Sequence, residues 1–213
     1  PVDKRVVAVT DKAVKAFEEA GAHVEEVKID IPHSHMALSD MWCRLIAPKQ
    51  VAALEGFKRD GIDLKRDHYN DLPPELWYWD EIGRKLTVPD FIEDEIMRSD
   101  VFDALRKVLD RYDYLVSPTL SCLAVDNATD RNTVGPKEVE GEEINRLIGW
   151  CMTFLINFIG YPAATLPAGL ASNGLPVGLQ IVGRRYADED VFAASATFER
   201  VRPWMDTYKQ VKL

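Results

Sequence analysis

Two serines stand where a nucleophile could act, at the end of a short apolar run. Ser117 and Ser121 follow Leu115 and Val116, and Pro118 separates them. A serine hydroxyl is a weak nucleophile unless a base is positioned beside it, and the surrounding sequence offers no evident base. The nucleophile-elbow pattern, with glycines on either side of the serine, is also absent. The sequence therefore predicts a turn here and assigns no catalytic residue.

Two other groups of titratable residues give only weak signals for chemistry. His33 and His35 have a spacing that can bind a metal, but no carboxylate or thiol is placed to complete a ligand set. Glu142 and Glu143 can do acid–base work, yet paired carboxylates at a helix start more often interact favourably with the helix dipole. We therefore expect no metal and no cofactor.

The elements that must position any site follow from hydrophobic spacing and from turn residues. Apolar residues at helical spacing predict helices over 3–20, 36–57, 87–109, 143–158 and 188–201. Alternating or short apolar runs predict strands over 22–31, 113–117, 163–167 and 177–182. Residues 60–80 and 120–142 are polar and rich in turn formers, so both predict loops. The order predicts an α/β fold with helices covering a mixed sheet.

Two details of these elements are also predicted. Pro48 should break or kink the second helix, because it lacks a backbone N–H. The last helix should direct five residues largely inward, and these are Val191, Phe192, Ala194, Ser195 and Phe198.

The stretch 157–183 is the most densely patterned part of the chain. The apolar run before Pro167 and Gly169 leads to a turn at Ser172–Gly174, and a second apolar run then returns. Asn and Gly in that turn accept positive φ, which favours a hairpin. Gly178 interrupts the second run and predicts either a bulge or another part of the backbone passing close to it.

Beyond this local pattern, the stretch resembles the C-terminal signature of the amidase signature family. The family pattern N-x-x-G-x-P-A-x-x-x-P-x-G, followed by G-L-P-x-G-L-Q-x-x-G, is matched at every position. The matching residues are Asn157, Gly160, Pro162, Ala163, Pro167, Gly169, Gly174, Leu175, Pro176, Gly178, Leu179, Gln180 and Gly183. The run from Tyr112 to Thr119 is similar to the family's strand ending in Pro-Thr. The first hundred residues match only loosely.

The resemblance implies an amidohydrolase that uses a Ser nucleophile, a second Ser in a cis peptide bond and a Lys proton relay. The family carries these groups in a Gly- and Ser-rich segment, and this chain has no Ser-Ser pair and no adjacent glycines. We therefore expect residues 1–213 to be the C-terminal part of a single amidase domain whose catalytic segment lies upstream. The expected partners are a small-molecule amide and the missing N-terminal segment or chain, and residues 1–213 alone should be inactive.

What this part can contribute is a wall of the acyl pocket. On the helix predicted to end near Asn157, the spacing of Trp150, Thr153 and Ile156 places them along one face. Related enzymes place substrate-lining residues on the equivalent helix, so the resemblance implies substrate binding by these three, and by Pro118 and Thr119 at the strand end. Trp150 and Ile156 would suit core packing equally well, whereas a buried Thr153 hydroxyl needs a partner.

Two other functions remain open. One is the similar glutaminase subunit of a tRNA-dependent amidotransferase, which releases ammonia from glutamine. That type of protein tends to carry an Asp seven residues before the conserved Asn, and here this position is Trp150. An aromatic ring meets an ammonium only through its π face, which favours a stand-alone amidase for less polar amides. The other is a non-catalytic scaffold or binding module that retains the fold.

Composition excludes several classes. The formal charge of −9 and the absence of a basic stripe argue against nucleic-acid binding. Cys43, Cys122 and Cys151 are odd in number and far apart, which is typical of a reduced cytoplasmic protein. No apolar run reaches the length of a membrane span, so no membrane partner is expected. A homodimer is compatible with the sequence.

Overall fold

Helices pack on both faces of a three-stranded antiparallel sheet. The computed structural model describes residues 1–129 and 132–210, apart from the side chains of residues 208 and 210. The α-helices are α1 (Lys4–Glu19), α2 (His35–Arg59), α3 (Leu64–Asp67), α4 (Pro74–Lys85), α5 (Val88–Leu109), α6 (Phe154–Ile159) and α7 (Asp188–Val201). The strands are β1 (Tyr114–Pro118), β2 (Glu138–Val139), β3 (Glu142–Glu143), β4 (Ala163–Leu170) and β5 (Pro176–Gly183). Short 3-10 helices cover Tyr69–Asp71 and Met205–Gln210.

Local sequence explains where the well-predicted helices begin and end. The Asp3 side chain caps α1 by accepting from the N–H of Arg5, and Gly21 follows the helix at φ 91°. Thr87 and Asp90 form a reciprocal capping box at the start of α5. The α7 helix begins with an acidic first turn, which suits its dipole. These interactions act within a few residues, so the sequence alone predicts them.

The central strand is β5, with β1 on one side and β4 on the other. Val116 pairs with Ile181 across β1 and β5, and Ala164 pairs with Ile181 across β4 and β5. The register of β4 shifts between Pro167 and Gly169, which marks a bulge. The predicted α/β class is confirmed. Both pairings of this sheet are antiparallel, so the part of the chain that the structure describes contains no parallel pair of a mixed sheet.

Two apolar clusters hold the layers together. The first lies between the sheet and helices α1 and α7, with Leu179, Ile181 and Phe198 fully buried at its centre. The second joins α2, α5 and α6 to the opposite face of the sheet through Val182 and Tyr161. Burial of both faces explains why β5 reads as a nearly continuous apolar run.

Residues 22–31, predicted as a strand, belong to no strand in the structure. The alternation that suggested one is real, because Val27, Ile29 and Ile31 are half-buried while their neighbours are exposed. Ile29 and Ile31 pack against the second cluster. A strand also needs a hydrogen-bonded neighbour, and the described residues provide none here. The alternating apolar residues therefore anchor an irregular segment to the core and do not form a strand.

Helical structure extends further than predicted in two places. Residues 74–85, expected in a loop, form α4, which Trp77 anchors by stacking on Tyr69 with 5.1 Å between ring centroids. Asp80 of this helix is fully buried and pairs with Lys65 at 3.4 Å and Arg84 at 3.0 Å. The α2 helix continues through Pro48, so the predicted break does not occur.

The helix predicted over 143–158 is mostly absent. Only Phe154–Ile159 is helical, and the expected loop over 120–142 ends instead in a small hairpin, whose strand Glu142–Glu143 pairs with β2. Its turn places Glu140 and Gly141 at φ 51° and 82°, the two positive values of a type I′ turn. The two glutamates are thus strand residues, not a helix start. Residues 130 and 131 of the expected loop lie outside the described residues.

The last helix provides a direct test of the packing. Phe198 is fully buried against Phe17, with ring centroids 5.4 Å apart, whereas Phe192 is 75% exposed, contrary to the prediction that both point inward. We expect Phe198→Ala to lower the free energy of unfolding by about 3–5 kcal/mol through lost burial and cavity formation. Phe192→Ala on the same helix should change it by less than about 0.5 kcal/mol. Urea unfolding monitored by circular dichroism measures both, and equal losses would contradict this packing.

Candidate functional site

The end of β1 and the segment before α6 meet through backbone hydrogen bonds. Met152 donates its N–H to the carbonyl of Thr119 at 3.0 Å, and Ser121 donates its N–H to the carbonyl of Trp150 at 2.8 Å. Leu120 and Cys151 form the bridge between these two bonds. This pairing joins parts of the chain that are far apart in sequence. It brings the strand end at Pro118 and Thr119 beside the segment that carries Trp150 and Thr153.

Trp150 is wedged against a glycine. Its indole Nε1 donates to the carbonyl of Arg146 at 3.1 Å, and Gly135 donates its N–H to the same carbonyl at 2.8 Å. A Cβ at Gly135 would overlap Trp150 Cδ1 and Nε1. The ring is half-buried, so one part of it packs on Gly135 while another part remains accessible. Its orientation is therefore set by backbone groups and not by a charged partner.

Thr153 and Ile156 occupy different environments, although sequence spacing placed them on one stripe. Thr153 is half-buried at the start of α6, where its side chain makes no capping hydrogen bond and its carbonyl accepts from the N–H of Asn157 at 3.0 Å. Ile156 is 7% exposed and lies in the second apolar cluster. Because Trp150 precedes α6, the shared helical face does not exist. Substrate contact by these residues remains a prediction.

The strand end presents a row of small polar side chains on one face of the sheet. Ser117, Gln180 and Thr165 are directly paired across β1, β5 and β4, and Gln180 donates its amide N–H to Ser117 Oγ at 3.2 Å. Gln180 is almost fully buried, whereas Thr165 is exposed. Thr119 lies two residues further along the same face and contacts Thr165 Oγ1 at 3.5 Å. Sequence analysis missed this row, although its alternating positions could have revealed it.

The absence of a side chain at Gly178 allows Thr119 to pack directly against β5. A Cβ at Gly178 would lie 2.8 Å from Thr119 Oγ1, and its carbonyl accepts from the N–H of Thr119 at 3.0 Å. The predicted close approach is therefore found, and the group that approaches is Thr119. The bulge lies on the neighbouring strand β4 instead.

Neither serine at the strand end is arranged as a nucleophile. Ser117 accepts from the Gln180 amide and donates to the Pro118 carbonyl at 3.3 Å, so its contacts include no base. Ser121 is fully buried, and its hydroxyl has no hydrogen-bond partner among the described residues. A buried hydroxyl without a base cannot attack a substrate.

The two histidines face different partners. His33 Nε2 lies 2.7 Å from Asp100, whereas His35 Nε2 lies 2.5 Å from the carbonyl of Gly149. Burial lowers the pKa of His35, which favours a neutral imidazole at neutral pH. Within residues 1–129 and 132–210, no group of three or more His, Cys, Asp or Glu side chains is placed to hold a metal ion.

Two surface depressions of about 290 and 240 Å³ lie away from the predicted substrate-binding residues, one beside Cys122–Val125 and one beside Pro167–Leu170. Neither is lined by any of the five predicted substrate-binding residues. Trp150 and Thr119 lie on either side of the backbone pairing between residues 119–121 and 150–152, and we call this part of the surface the wall. No helix of the described residues is long and apolar enough to cross a membrane.

The described residues thus form a helix-covered antiparallel sheet with polar side chains and Trp150 at one strand end. The Amidase family model matches residues 1–192, and the chain therefore belongs to the amidase signature family. The resemblance seen over 157–183 is confirmed by this match.

The relatives include two kinds of enzyme. An acylamidase of Rhodococcus erythropolis is 32% identical over 206 residues, covering 96% of this chain and 40% of that protein. A glutamyl-tRNA(Gln) amidotransferase subunit of Thermotoga maritima is 27% identical over 214 residues, covering 91% of this chain and 41% of that protein. A solved bacterial aryl acylamidase of the amidase signature family is 47% identical, with a TM-score of 0.95, covering 99% of this chain and 43% of that one. The chain thus spans about two fifths of the length of these relatives.

The contact between Gly135 and Trp150 can be tested directly. We expect Gly135→Ala to displace the Trp150 ring, since the added methyl cannot fit, and to lower the free energy of unfolding by about 1–3 kcal/mol. Gly56→Ala is a matched control, because a Cβ there meets no atom closer than 3.8 Å and lies inside a helix. That change should be neutral or stabilise by up to about 1 kcal/mol. Chemical denaturation and tryptophan fluorescence measure both effects, and a normal Trp150 environment in Gly135→Ala would contradict the wedge.

Proposed function

We propose that residues 1–213 form the C-terminal, substrate-binding part of a single amidase domain that hydrolyses acylated aromatic amines. The products would be a carboxylate and an aromatic amine. Similarity to an acylamidase at 32% identity and to an aryl acylamidase at 47% identity supports this substrate class. Coverage of only 40% and 43% of those proteins supports a further segment or chain that completes the domain.

Trp150 is the observation that carries the proposal. The residue is half-buried, its ring is held by Gly135 and the Arg146 carbonyl, and its backbone lies in the segment that pairs with residues 119–121. An aromatic wall offers offset stacking or edge contacts to an aryl group and excludes water from it. The hydroxyls of Thr119 and Thr153 would supply a small number of polar groups, as a mostly apolar ligand site needs. A flat aromatic amide fits such a wall better than a charged amino acid does.

The competing function is the glutaminase reaction of a tRNA-dependent amidotransferase, because a subunit of such an enzyme is also similar to this chain. Glutamine carries an ammonium that a carboxylate would have to bind, and the corresponding position is Trp150. Asp40 reaches the segment before Trp150, but its carboxylate is already engaged, since it accepts from Asn145 Nδ2 at 2.7 Å. A non-catalytic scaffold is the third hypothesis, and it predicts no turnover of either substrate.

Residues 1–213 offer no assignable nucleophile or proton relay, so another part of the domain would have to supply the bond-breaking chemistry. Amide hydrolysis through an acyl-enzyme needs a nucleophile, a proton relay and donors for the developing oxyanion, all assembled together. We infer that a Ser–cis-Ser–Lys set from outside residues 1–213 provides them. The groups described here would bind and orient the amide, so that its carbonyl faces that nucleophile.

The substrate class is tested with the complete enzyme and three matched amides. We expect kcat/KM for acetanilide to exceed that for acetamide, with no measurable release of ammonia from glutamine. Trp150→Ala should reduce the acetanilide value by roughly ten- to a hundredfold while acetamide changes little, and Trp150→Phe should retain most of the preference. Glutamine turnover above acetanilide turnover would favour the amidotransferase, and an equal loss on every amide would make Trp150 structural.

The division of labour is tested with residues 1–213 alone. We expect the purified chain to show no turnover of acetanilide above the buffer rate, because the catalytic set is incomplete. Activity that persists in pure 1–213 and disappears in Ser117→Ala would place the nucleophile in this chain and contradict the assignment. Ser195→Ala is a suitable control, since that hydroxyl bonds the Val191 carbonyl within α7 at 2.7 Å.

A further inference from the structure

The segment that carries Trp150 is held from two sides. On one side, the end of β1 pairs with residues 150–152 through the backbone bonds of Thr119 and Ser121. On the other side, the first turns of α2 reach it with two side chains. His35 contacts the Gly149 carbonyl at 2.5 Å, and Asp40 accepts from Asn145 Nδ2 at 2.7 Å. Side chains of α2 therefore reach a segment that is distant in sequence.

Residues 145–149 belong to no helix or strand and form a hydrogen-bonded turn. Asn145 Oδ1 accepts from the N–H of Leu147 at 2.8 Å, and the Asn145 carbonyl accepts from the N–H of Gly149 at 2.8 Å. A Cβ at Gly149 would lie 2.8 Å from Asn145 N, so the turn is as tight as glycine permits. The Gly149 carbonyl points out of this turn and needs a donor from elsewhere.

His35 is that donor. A carbonyl oxygen can only accept, so the imidazole nitrogen that meets it, Nε2, must carry the proton. The ring is also fixed from the side, because it meets Phe154 edge-on with centroids 5.7 Å apart. Phe154 begins α6 and is 2% exposed. His35 thus joins α2, the Gly149–Trp150 peptide and the start of α6 at one point.

We propose that His35 is a positioning residue for the substrate wall, acting through the Gly149–Trp150 peptide group. A peptide group is planar, so fixing the Gly149 carbonyl also fixes the direction of the Trp150 N–H and limits where the Trp150 side chain can point. His35 contacts no substrate in this arrangement. Its effect should therefore appear in the selection among amides and not in proton transfer. The substrate readout rests on the proposed function, whereas the effect on the segment does not.

The experiment compares three variants of the complete enzyme. His35→Ala removes the donor, and His35→Gln restores an amide N–H that can reach the Gly149 carbonyl. His33→Ala is the matched control, because His33 lies two residues away, pairs with Asp100 and has no contact with the 145–153 segment among its hydrogen bonds. Each variant is measured in two ways: the acetanilide to acetamide ratio of kcat/KM, and hydrogen exchange of the peptide that covers 145–153.

We expect His35→Ala to lower the acetanilide to acetamide ratio by about tenfold, mainly through KM for acetanilide. Exchange of the 145–153 amides should rise by at least about tenfold, and His35→Gln should recover both values. Trp150→Ala combined with His35→Ala should lower the ratio no further than Trp150→Ala alone, since both act through one side chain.

Three results would overturn the inference, two of them in His35→Ala. One of these is unchanged exchange over 145–153. The other is an unchanged amide ratio in His35→Ala while Trp150→Ala alters it. If the wild-type enzyme cleaves no acetanilide, the proposed function fails, and the exchange measurement still decides whether His35 holds the segment. An equal response in His33→Ala would show a general loss of stability at the start of α2 and would also count against the proposal.

Discussion

Burial of the central strand on both of its faces is the constraint on which the rest of this structure depends. Leu179 and Ile181 face the cluster with α1 and α7, while Val182 faces the cluster with α2, α5 and α6. Each fully buried side chain of this size contributes about 1.5–3 kcal/mol relative to an exposed one. A strand with two apolar faces must be covered on both, and the helices are arranged to do so. The outer strands β1 and β4 then have their positions set by pairing with β5.

This constraint also explains which part of the sheet carries polar side chains. The second cluster covers the sheet only near Leu115 and Val182, and beyond it the same face carries Ser117, Gln180 and Thr165. Gln180 is almost fully buried, and the exposed member of this row is the polar Thr165, whose exposure costs little. Beside it, Thr119 follows the end of β1 and begins the backbone pairing with residues 150–152. The candidate site thus arises where the apolar coverage of the sheet ends.

Charge plays a limited part at this wall. The Asp40 carboxylate that reaches this segment accepts from Asn145 Nδ2, and the Trp150 indole donates to a backbone carbonyl. Such a surface can select an amide by shape and by aromatic contact, but it cannot supply acid–base chemistry. The chain spans about two fifths of its relatives, and under the proposed function this part would select the substrate while another part of the domain transfers the proton.

The sequence by itself determined the elements whose stabilising interactions are local. Caps and periodicity predicted α1, α5 and α7 closely, the turn residues of 157–183 predicted the β4–β5 hairpin, and the match of that stretch to the signature pattern indicated the family. The sequence could not determine whether residues 22–31 pair with another strand, or whether 143–153 would follow a helix or a turn. It also could not show that Phe192 is exposed while Ile156 is in the core. These outcomes depend on partners distant in sequence, such as the Gly149 carbonyl and His35 or Trp150 and Gly135. Only the tertiary structure brings those partners together, because hydrophobic spacing records that a side chain is to be buried but not which surface will bury it.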